Sequence, residues 1–255
     1  MRSASLLLLL ILSAAFGQSA GPVRAFDVAS VKLHDGPKRI VGVETSGLRL
    51  TASASNLRGL IMWAYDLKNS QVSGSARLLN DDEDTRWDIA AKAEGDTAPT
   101  RAQFRQMLQA LLADRFKLAV HREPREMPVY ALVVGKSGPK FKESAPDASP
   151  AFHVGVSGRN YEVTYPKATM AGLTDVIVDT CFPDRPVLDR TGLQGDYDIK
   201  LTYTPGLGAN RDIDPDPGSV DIFRALEEQL GLKLDLQKGM VEVLVVDHAE
   251  KPSAN

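Results

Sequence analysis

Two stretches of the chain share one pattern of residues: RFKLAVHREPREMPVYALVV at 115–134 and LKLDLQKGMVEVLVVDH at 232–248. Each has a short alternating segment, a charged break and then an apolar run. Alternation of apolar and polar residues is typical of β-strands, and the stretch from Pro124 to Pro128 reads as a break between two of them. The links 118→129 and 234→241 are too short for a parallel crossover, so each stretch predicts a pair of antiparallel strands.

Helical spacing appears twice in each half of the chain. The helix with the clearest sequence signal follows Pro99, where Thr100 and Gln103 form a T-x-x-Q capping box. An earlier helix is predicted with Ser55 or Asn56 as its N-cap. The apolar residues that predict the four buried helix faces are Leu57, Leu60, Ile61 and Ala64; Phe104, Met107, Leu108, Leu111 and Leu112; Met170, Leu173 and Ile177; and Ile222, Phe223, Leu226 and Leu230.

These segments recur in the same order. The segments that correspond are the following: Trp87-Asp88-Ile89 with Tyr197-Asp198-Ile199; Phe104, Leu108 and Leu112 with Ile222, Leu226 and Leu230; Phe116–Leu118 with Leu232–Leu234; and Val129–Val134 with Val241–Val246. The sequence therefore predicts an α+β protein of two related halves, each a small, mostly antiparallel sheet with helices packed on one side. The halves are placed at 26–136 and 161–255, and 137–160, rich in Gly, Pro and Ser, is interpreted as their connection.

The N-terminus has the pattern of a secretory signal peptide. Arg2 is followed by an apolar run from Leu6 to Leu12, too short to span a bilayer, and then by small residues. Residues 1–25 are therefore predicted to be a signal peptide, with cleavage after Ala20 or Ala25. No later segment is apolar enough to cross a membrane. The mature chain is expected to be exported, to the periplasm or the cell exterior.

Composition and charge exclude several kinds of partner. Apolar residues make up 43% and charged residues 25% of the chain, as in ordinary globular proteins. A net charge of −3 gives no polybasic surface, so nucleic acid is not an expected partner. The single cysteine, Cys181, cannot form an internal disulfide and is interpreted as a small core residue.

No known catalytic or cofactor-binding motif appears, and no cofactor is predicted. The chain has no G-x-S-x-G elbow, no H-E-x-x-H pair, no phosphate-binding loop and no dinucleotide-binding glycine pattern. His121 and Glu123 would face the same side of a strand, whereas Asp247 and His248 would face opposite sides and could not share a proton. No catalytic residue is therefore assigned, and His121, Glu123 and His248 are the first suspects if a hidden activity exists.

One acidic loop has some features of a calcium site. Asp212, Asp214 and Asp216 alternate in RDIDPDPGSVD, and Gly218 follows. The EF-hand pattern needs glycine at position six and an acid at position twelve, but here glycine is at seven and Phe223 is at twelve. A solvated acidic loop and a weak calcium site both remain open. No other metal site is predicted.

The sequence resembles a family of exported, soil-associated bacterial proteins that is catalogued as a domain of unknown function. The stretches that carry the resemblance are FDVASVK, LRGLIMWAYDL, WDIAAKA, QMLQALLADRFKLAVHRE, PVYALVV, VLDRTGLQGDYD, IFRALEEQLGLKL and VEVLVVDHAEKPS. The segment TDVIVDTCFPDRP departs from the leucine-rich helix and Gly-Arg-Pro turn of that family. The resemblance implies export and brings no activity, cofactor or catalytic residue. The helix-then-strand units also resemble small modules at the periplasmic ends of secretins and outer-membrane receptors.

Three functional hypotheses follow. The first is an exported, non-enzymatic binding or protein-interaction module, whose partner is an envelope or extracellular protein or a small ligand. Exposed strand edges would suit docking by strand addition. The alternative is an envelope hydrolase whose catalytic set is assembled across the two halves. The third is calcium-dependent adhesion through the acidic loop at 212–216.

Overall fold

The computed structural model describes residues 25–36, 41–74, 79, 85–182, 185–206 and 218–252. The predicted α+β class is confirmed. The strands in this part of the chain are β1 (Phe26–Leu33), β2 (Gly42–Ser46), β3 (Arg49–Ser55), β4 (Val72–Gly74), β5 (Trp87–Ala93), β6 (Ala119–Val134), β7 (Lys142–Glu143), β8 (His153–Ser157), β9 (Asn160–Ala168), β10 (Val187–Asp189), β11 (Tyr197–Tyr203) and β12 (Leu232–His248). The helices are α1 (Leu57–Tyr65), α2 (Arg101–Arg115), α3 (Met170–Cys181) and α4 (Ile222–Ala225), which continues as a π-helical turn over Leu226–Leu230.

The strands form three sheets of four. The first has the order β1-β5-β3-β2, the second β7-β11-β9-β8, and the central sheet β10-β6-β12-β4. All neighbours pair antiparallel except the two short outer strands of the central sheet, β10 and β4, which run parallel to β6 and β12. In both the first and the second sheet, the strands numbered in chain order are arranged as first, fourth, third and second.

The long strands β6 and β12 correct the prediction of a break in each repeated stretch. β6 has 16 residues and β12 has 17, and they pair antiparallel from Leu232 opposite Val134 to His248 opposite Ala119. The prediction of separate strands at 118→129 and 234→241 is wrong. Each stretch is one strand that pairs with the other stretch.

The prolines of β6 explain why the prediction failed. The amide of Tyr130 donates to the carbonyl of Pro186, 2.9 Å away on the β10 side of β6. Amide directions alternate along a strand, so positions 128 and 124 also point away from β12. Pro124 and Pro128 therefore remove no hydrogen bond from the β6–β12 ladder, and strands tolerate proline at such positions.

Two lobes pack on the central sheet, each with its own core. The first lobe combines α1, α2 and the first sheet, and its core includes Leu244 and Val246 near the end of β12. The second combines α3, α4 and the second sheet, and its core includes Tyr130 and Leu132 near the end of β6. Each long strand therefore leaves one lobe and ends in the other. The segment 137–160, predicted to be a connection, contributes β7 and β8 to the second sheet.

The helix predictions are confirmed in detail. The Asn56 side chain caps α1 by accepting from the amide of Gly59 at 2.9 Å. Thr100 and Gln103 form the capping box of α2, and the Thr169 side chain caps α3. The apolar faces predicted for the first three helices are buried, and in the fourth Phe223 is half-buried while Ile222, Leu226 and Leu230 are buried.

The approach to α1 and the approach to α3 use the same backbone device. Ala54 at the end of β3 and Lys167 at the end of β9 adopt positive φ angles of 44° and 53°. The Ala54 amide donates directly to Asp88, 2.9 Å away. The Lys167 amide donates to the hydroxyl of Ser144, which in turn donates to Asp198. The amide of each residue with a positive φ is thus hydrogen-bonded. An amide left without a partner in a buried place would destabilise the fold.

One ion-pair group joins the two lobes directly. The Lys68 ammonium, between α1 and β4, lies 2.9 Å from Asp179 and 3.4 Å from Asp175 on α3. Although burial opposes it, the hydrogen bond to Asp179 holds the pKa of Lys68 above its ordinary value. This contact connects α3 of the second lobe with the segment that follows α1 in the first.

Gly231, which ends α4, provides a test of the junction between that helix and β12. Its φ is +65°, and a Cβ there would lie 1.9 Å from the carbonyl oxygen of Gly138. We expect Gly231→Ala to lower the free energy of unfolding by about 3 kcal/mol or more, since backbone strain and a backbone clash add. Gly206→Ala is the control, because φ there is +74° and no atom of the described residues lies within 4 Å of a Cβ added there. That variant should lose about 1–2 kcal/mol in the same denaturant titration. Equal losses would contradict the role of the clash.

Candidate functional site

The outer edge of β8 is the candidate site. β8 ends the second sheet, and the structure describes no strand on its far side. Gly158, with φ +62°, is the first central residue of the two-residue turn between Ser157 and Asn160. In such a hairpin the pair beside the turn exchanges both hydrogen bonds, and the pairs then alternate. The amides and carbonyls of Val154 and Val156 therefore point away from β9, toward the open edge.

Apolar side chains accompany these open backbone groups. Phe152, Val154 and Val156 are 48%, 36% and 69% exposed. Val154 lies opposite the buried Val163, on the face of the sheet that carries the helices. The ring of Phe152 packs edge-on against Tyr165 with centroids 5.0 Å apart. The edge thus offers backbone hydrogen bonds and an apolar rim at the same place.

The other sheet edges in the described part of the chain are short or carry charge. β1 carries Asp27 and Lys32, and β2 carries Glu44 at its centre. The remaining edge strands, β4, β7 and β10, have three residues or fewer. Charged residues and short length are the usual protection of a sheet edge against pairing with another chain. β8 has five residues, HVGVS, and no Asp, Glu, Lys or Arg.

The equivalent strand of the first lobe shows the contrast directly. β2 also pairs with its neighbour through a two-residue turn, at Gly47 and Leu48. Counting from the turns, Glu44 and Thr45 occupy the positions of Gly155 and Val156. α1 packs against β2 and β3. The same architecture therefore has a charged edge in one lobe and an uncharged, apolar edge in the other.

The histidine candidates are partly brought together. His121 on β6 donates from Nδ1 to both carboxylate oxygens of Asp247 on β12, each 2.9 Å away. Its Nε2 lies 3.8 Å from Oε2 of Glu123. Glu123 in turn accepts from Nε of Arg125 at 3.1 Å, and Arg125 donates to the Ser73 hydroxyl at 3.1 Å. A polar network thus runs across β6, β12 and β4.

His248 does not join this network. Its Nε2 lies 2.9 Å from Oε1 of Glu250, and the described contacts do not connect it to His121. The partner of His121 is Asp247, which sequence reasoning did not pair with it. Only the register of β6 with β12 brings these two residues together, and their separation of 126 residues leaves no local signal.

The network is charged, and its hydroxyl, that of Ser73, accepts from Arg125 and has no described contact with His121. The hydrogen bond to Asp247 holds the pKa of His121 above its ordinary value, although residual desolvation opposes it. The hydrogen bond from Arg125 holds the pKa of Glu123 below its ordinary value. Among the described contacts, no hydroxyl or thiol is hydrogen-bonded to His121, and nucleophilic catalysis requires that contact. The arrangement is an exposed ion-pair network beside the valines of β12.

Cys181 and the His34–Asp88 pair lie in surroundings that fit a structural role. Cys181 is fully buried in the core of the second lobe, as predicted, and burial raises the pKa of its thiol. The Nδ1 atom of His34 lies 3.0 Å from Asp88, while its Nε2 is buried and has no hydrogen-bond partner among the described residues. Despite partial desolvation, the hydrogen bonds from Ala54 and His34 hold the pKa of Asp88 below its ordinary value. Asp88 thus accepts hydrogen bonds at the irregularity of β3 between Ala52 and Ser55, just before α1.

Two open cavities lie on the first lobe. One, of about 250 Å³, lies between the start of β1 and α2 and is lined by Phe26, Met107 and Leu111. The other, of about 320 Å³, lies on the first sheet beside Val28 and Lys92. Neither is lined by His121, Glu123 or the residues of β8.

Asp212, Asp214 and Asp216 lie outside the described residues, as does the predicted signal peptide up to residue 24. Within the described ranges, no group of three or more His, Cys, Asp or Glu side chains could hold a metal ion. No helix of the same ranges has the length and apolar character needed to cross a membrane.

Residues 58–249 match the model of a family described as "Protein of unknown function (DUF3738)". The match covers most of the chain and includes β6, β8 and β12. Comparison with curated proteins and with solved structures finds no match.

The contact between His121 and Asp247 can be tested by titration. We expect Asp247→Asn to bring the pKa of His121 down toward its ordinary value, because the variant removes the charged acceptor. Imidazole NMR shifts against pH would measure this, with Glu250→Gln as a control that leaves His121 unchanged. A pKa raised on folding stabilises the protein below the unfolded pKa, and that stabilisation is lost as pH rises through the folded pKa. The destabilisation by Asp247→Asn should therefore be larger at about pH 5.5 than at about pH 9. An unchanged His121 titration would contradict the contact.

Proposed function

We propose a function from the chain's own geometry, because the chain belongs to the DUF3738 family, whose description names no function. The protein is an exported, non-enzymatic interaction module that docks an extended polypeptide segment on the edge of β8. The observation that carries the proposal is the five-residue, uncharged edge with the exposed Val154 and Val156. Export is part of the proposal on the strength of the N-terminal sequence pattern.

The chemistry of the edge defines the kind of partner. Outward amides and carbonyls at Val154 and Val156 give an extended segment main-chain hydrogen bonds, which supply affinity in strand addition. The valines and Phe152 line the helix-bearing face of the sheet, so they favour a segment with apolar residues at alternate positions. A strand with a run of charged residues would gain the backbone bonds but not the side-chain contacts.

A crosslinked pull-down from the native cell envelope tests this proposal with two matched variants. Val156→Lys places a charge on the proposed edge, and Thr45→Lys places the same charge at the equivalent position of β2. We expect capture by the wild type and Thr45→Lys, and at least about a tenfold loss with Val156→Lys, because a strand-edge lysine opposes pairing.

Circular dichroism and thermal melting must show that both variants are folded. Both positions are exposed, so each substitution should change the free energy of unfolding by about 0.5 kcal/mol or less. Capture that is equal for Val156→Lys and Thr45→Lys would reject β8 as the docking edge. Capture of no protein at all by the wild type, neither a different protein nor another molecule of the same chain, would reject the interaction function itself.

The envelope hydrolase is the second candidate, because one observation favours it. His121 from the first half and Asp247 from the second are hydrogen-bonded, which is the assembly across halves that this hypothesis requires. If the network is catalytic, hydrolysis of a chromogenic ester by the purified chain should fall at least about tenfold in His121→Ala and stay unchanged in His248→Ala. Hydrolysis that is absent, or equal in wild type and His121→Ala, would reject this candidate.

A further inference from the structure

We infer that the strand docked on β8 is β8 of a second copy of this chain, so that two second sheets join edge to edge into one continuous sheet. The inference rests on the proposed function and names its partner. It follows from the sequence of β8 itself, His153-Val154-Gly155-Val156-Ser157, which reads almost the same in both directions around Gly155.

The hydrogen-bond pattern of β8 suits a two-fold axis at Gly155. In an antiparallel pair centred there, Val154 of one copy lies opposite Val156 of the other, and the reverse pair forms on the far side of the axis. Both valines direct their amides and carbonyls to the open edge, so each of these two pairs exchanges two hydrogen bonds. Gly155 then faces Gly155 in a pair without hydrogen bonds, where strands approach most closely. No residue needs to shift register.

The side chains are self-complementary in the same register. Residues opposite each other in antiparallel strands lie on one face, so Val154 packs beside Val156 of the second copy on the helix-bearing side. The exposed Phe152 of each copy lies at the ends of this apolar strip, where it already contacts Tyr165. Exposed apolar area of both copies is buried together.

Electrostatics distinguish β8 from its equivalent in the first lobe. Pairing of β2 with β2 in the same register would place Glu44 directly opposite Glu44, and like charges opposite each other destabilise a sheet. At β8 the central residue is glycine, and no strand residue has a formal charge except a protonated His153. The self-pairing that the β2 edge opposes is therefore available at β8.

The size of this contact sets its strength. Two five-residue strands and a short apolar strip make an interface at the lower end of specific protein–protein contacts. We therefore expect a reversible dimer that dissociates on dilution.

Gly155→Cys tests the register in the full-length mature chain. At a pair without hydrogen bonds the Cα atoms are about 4.5 Å apart, within the range of about 4.4–6.8 Å that a disulfide spans. A Cβ at Gly155 meets only ordinary contacts, the nearest at 3.7 Å from Glu162. The single native cysteine, Cys181, is buried and does not compete. Under mild oxidation we expect most of the Gly155→Cys protein to become a disulfide-linked dimer. Ser157→Cys, at an exposed position that would face His153 of the second copy in this register, should stay largely monomeric.

Sedimentation equilibrium supplies the measurement without a crosslink. Between about 1 and 500 µM, the apparent mass of the wild type and of Thr45→Lys should rise toward twice the monomer mass. Val156→Lys should remain at the monomer mass over the same range, because each copy would place a lysine in the contact.

The outcomes separate this inference from the proposed function. If Gly155→Cys crosslinks no more than Ser157→Cys and the wild type stays monomeric, the second copy is not the partner. The proposed function then survives only if the envelope pull-down still captures a protein that Val156→Lys loses. If that capture is absent as well, both the proposed function and the inference are rejected. A Val156-dependent dimer with efficient Gly155→Cys crosslinking supports both.

Discussion

The antiparallel pairing of β6 with β12 along their whole length is the interaction on which the structure depends. It joins two lobes whose cores are otherwise separate, and each strand contributes apolar residues to both. Because the two ends of this ladder lie in different lobes, neither lobe has a complete core without the other's strand. The bridge from Lys68 to α3 adds a second, polar connection between the lobes. The chain therefore folds as two similar lobes on one shared sheet.

That arrangement also decides which edges remain open. The long strands occupy the centre of the shared sheet, where β10 and β4 each pair with only three of their residues. The parts of β6 and β12 beyond these contacts carry charged residues such as Glu126 and Lys238, so the uncharged edge of five residues belongs to an outer sheet. Both lobes have the same strand order and a two-residue turn at that edge, but their edge side chains differ. Glu44 on β2 opposes pairing, whereas Gly155 on β8 permits close approach. The proposed function depends on this difference between the two lobes.

The polar network around His121 follows from the same ladder. Sequence spacing correctly placed His121 and Glu123 on one face of a strand, and correctly separated Asp247 from His248. It could not pair His121 with Asp247, because that contact depends on the register between distant strands. β8 was missed for a different reason. The Gly, Pro and Ser residues of 137–160 were interpreted as a connection, although the alternating valines of HVGVSG just before Arg159 and Asn160 were a usable hairpin signal.

The sequence by itself determined the α+β class, the four helices, the caps of the first two and the buried helix faces, because these depend on residues within one or two turns of each other. It also determined the burial of Cys181. Only the tertiary structure decided that the two repeated stretches are single strands paired with each other, since Pro124 and Pro128 disrupt a strand only where their missing amides face a partner. The open edge of β8 was likewise decided by tertiary structure, because an edge is defined by the strands that do not pair with it.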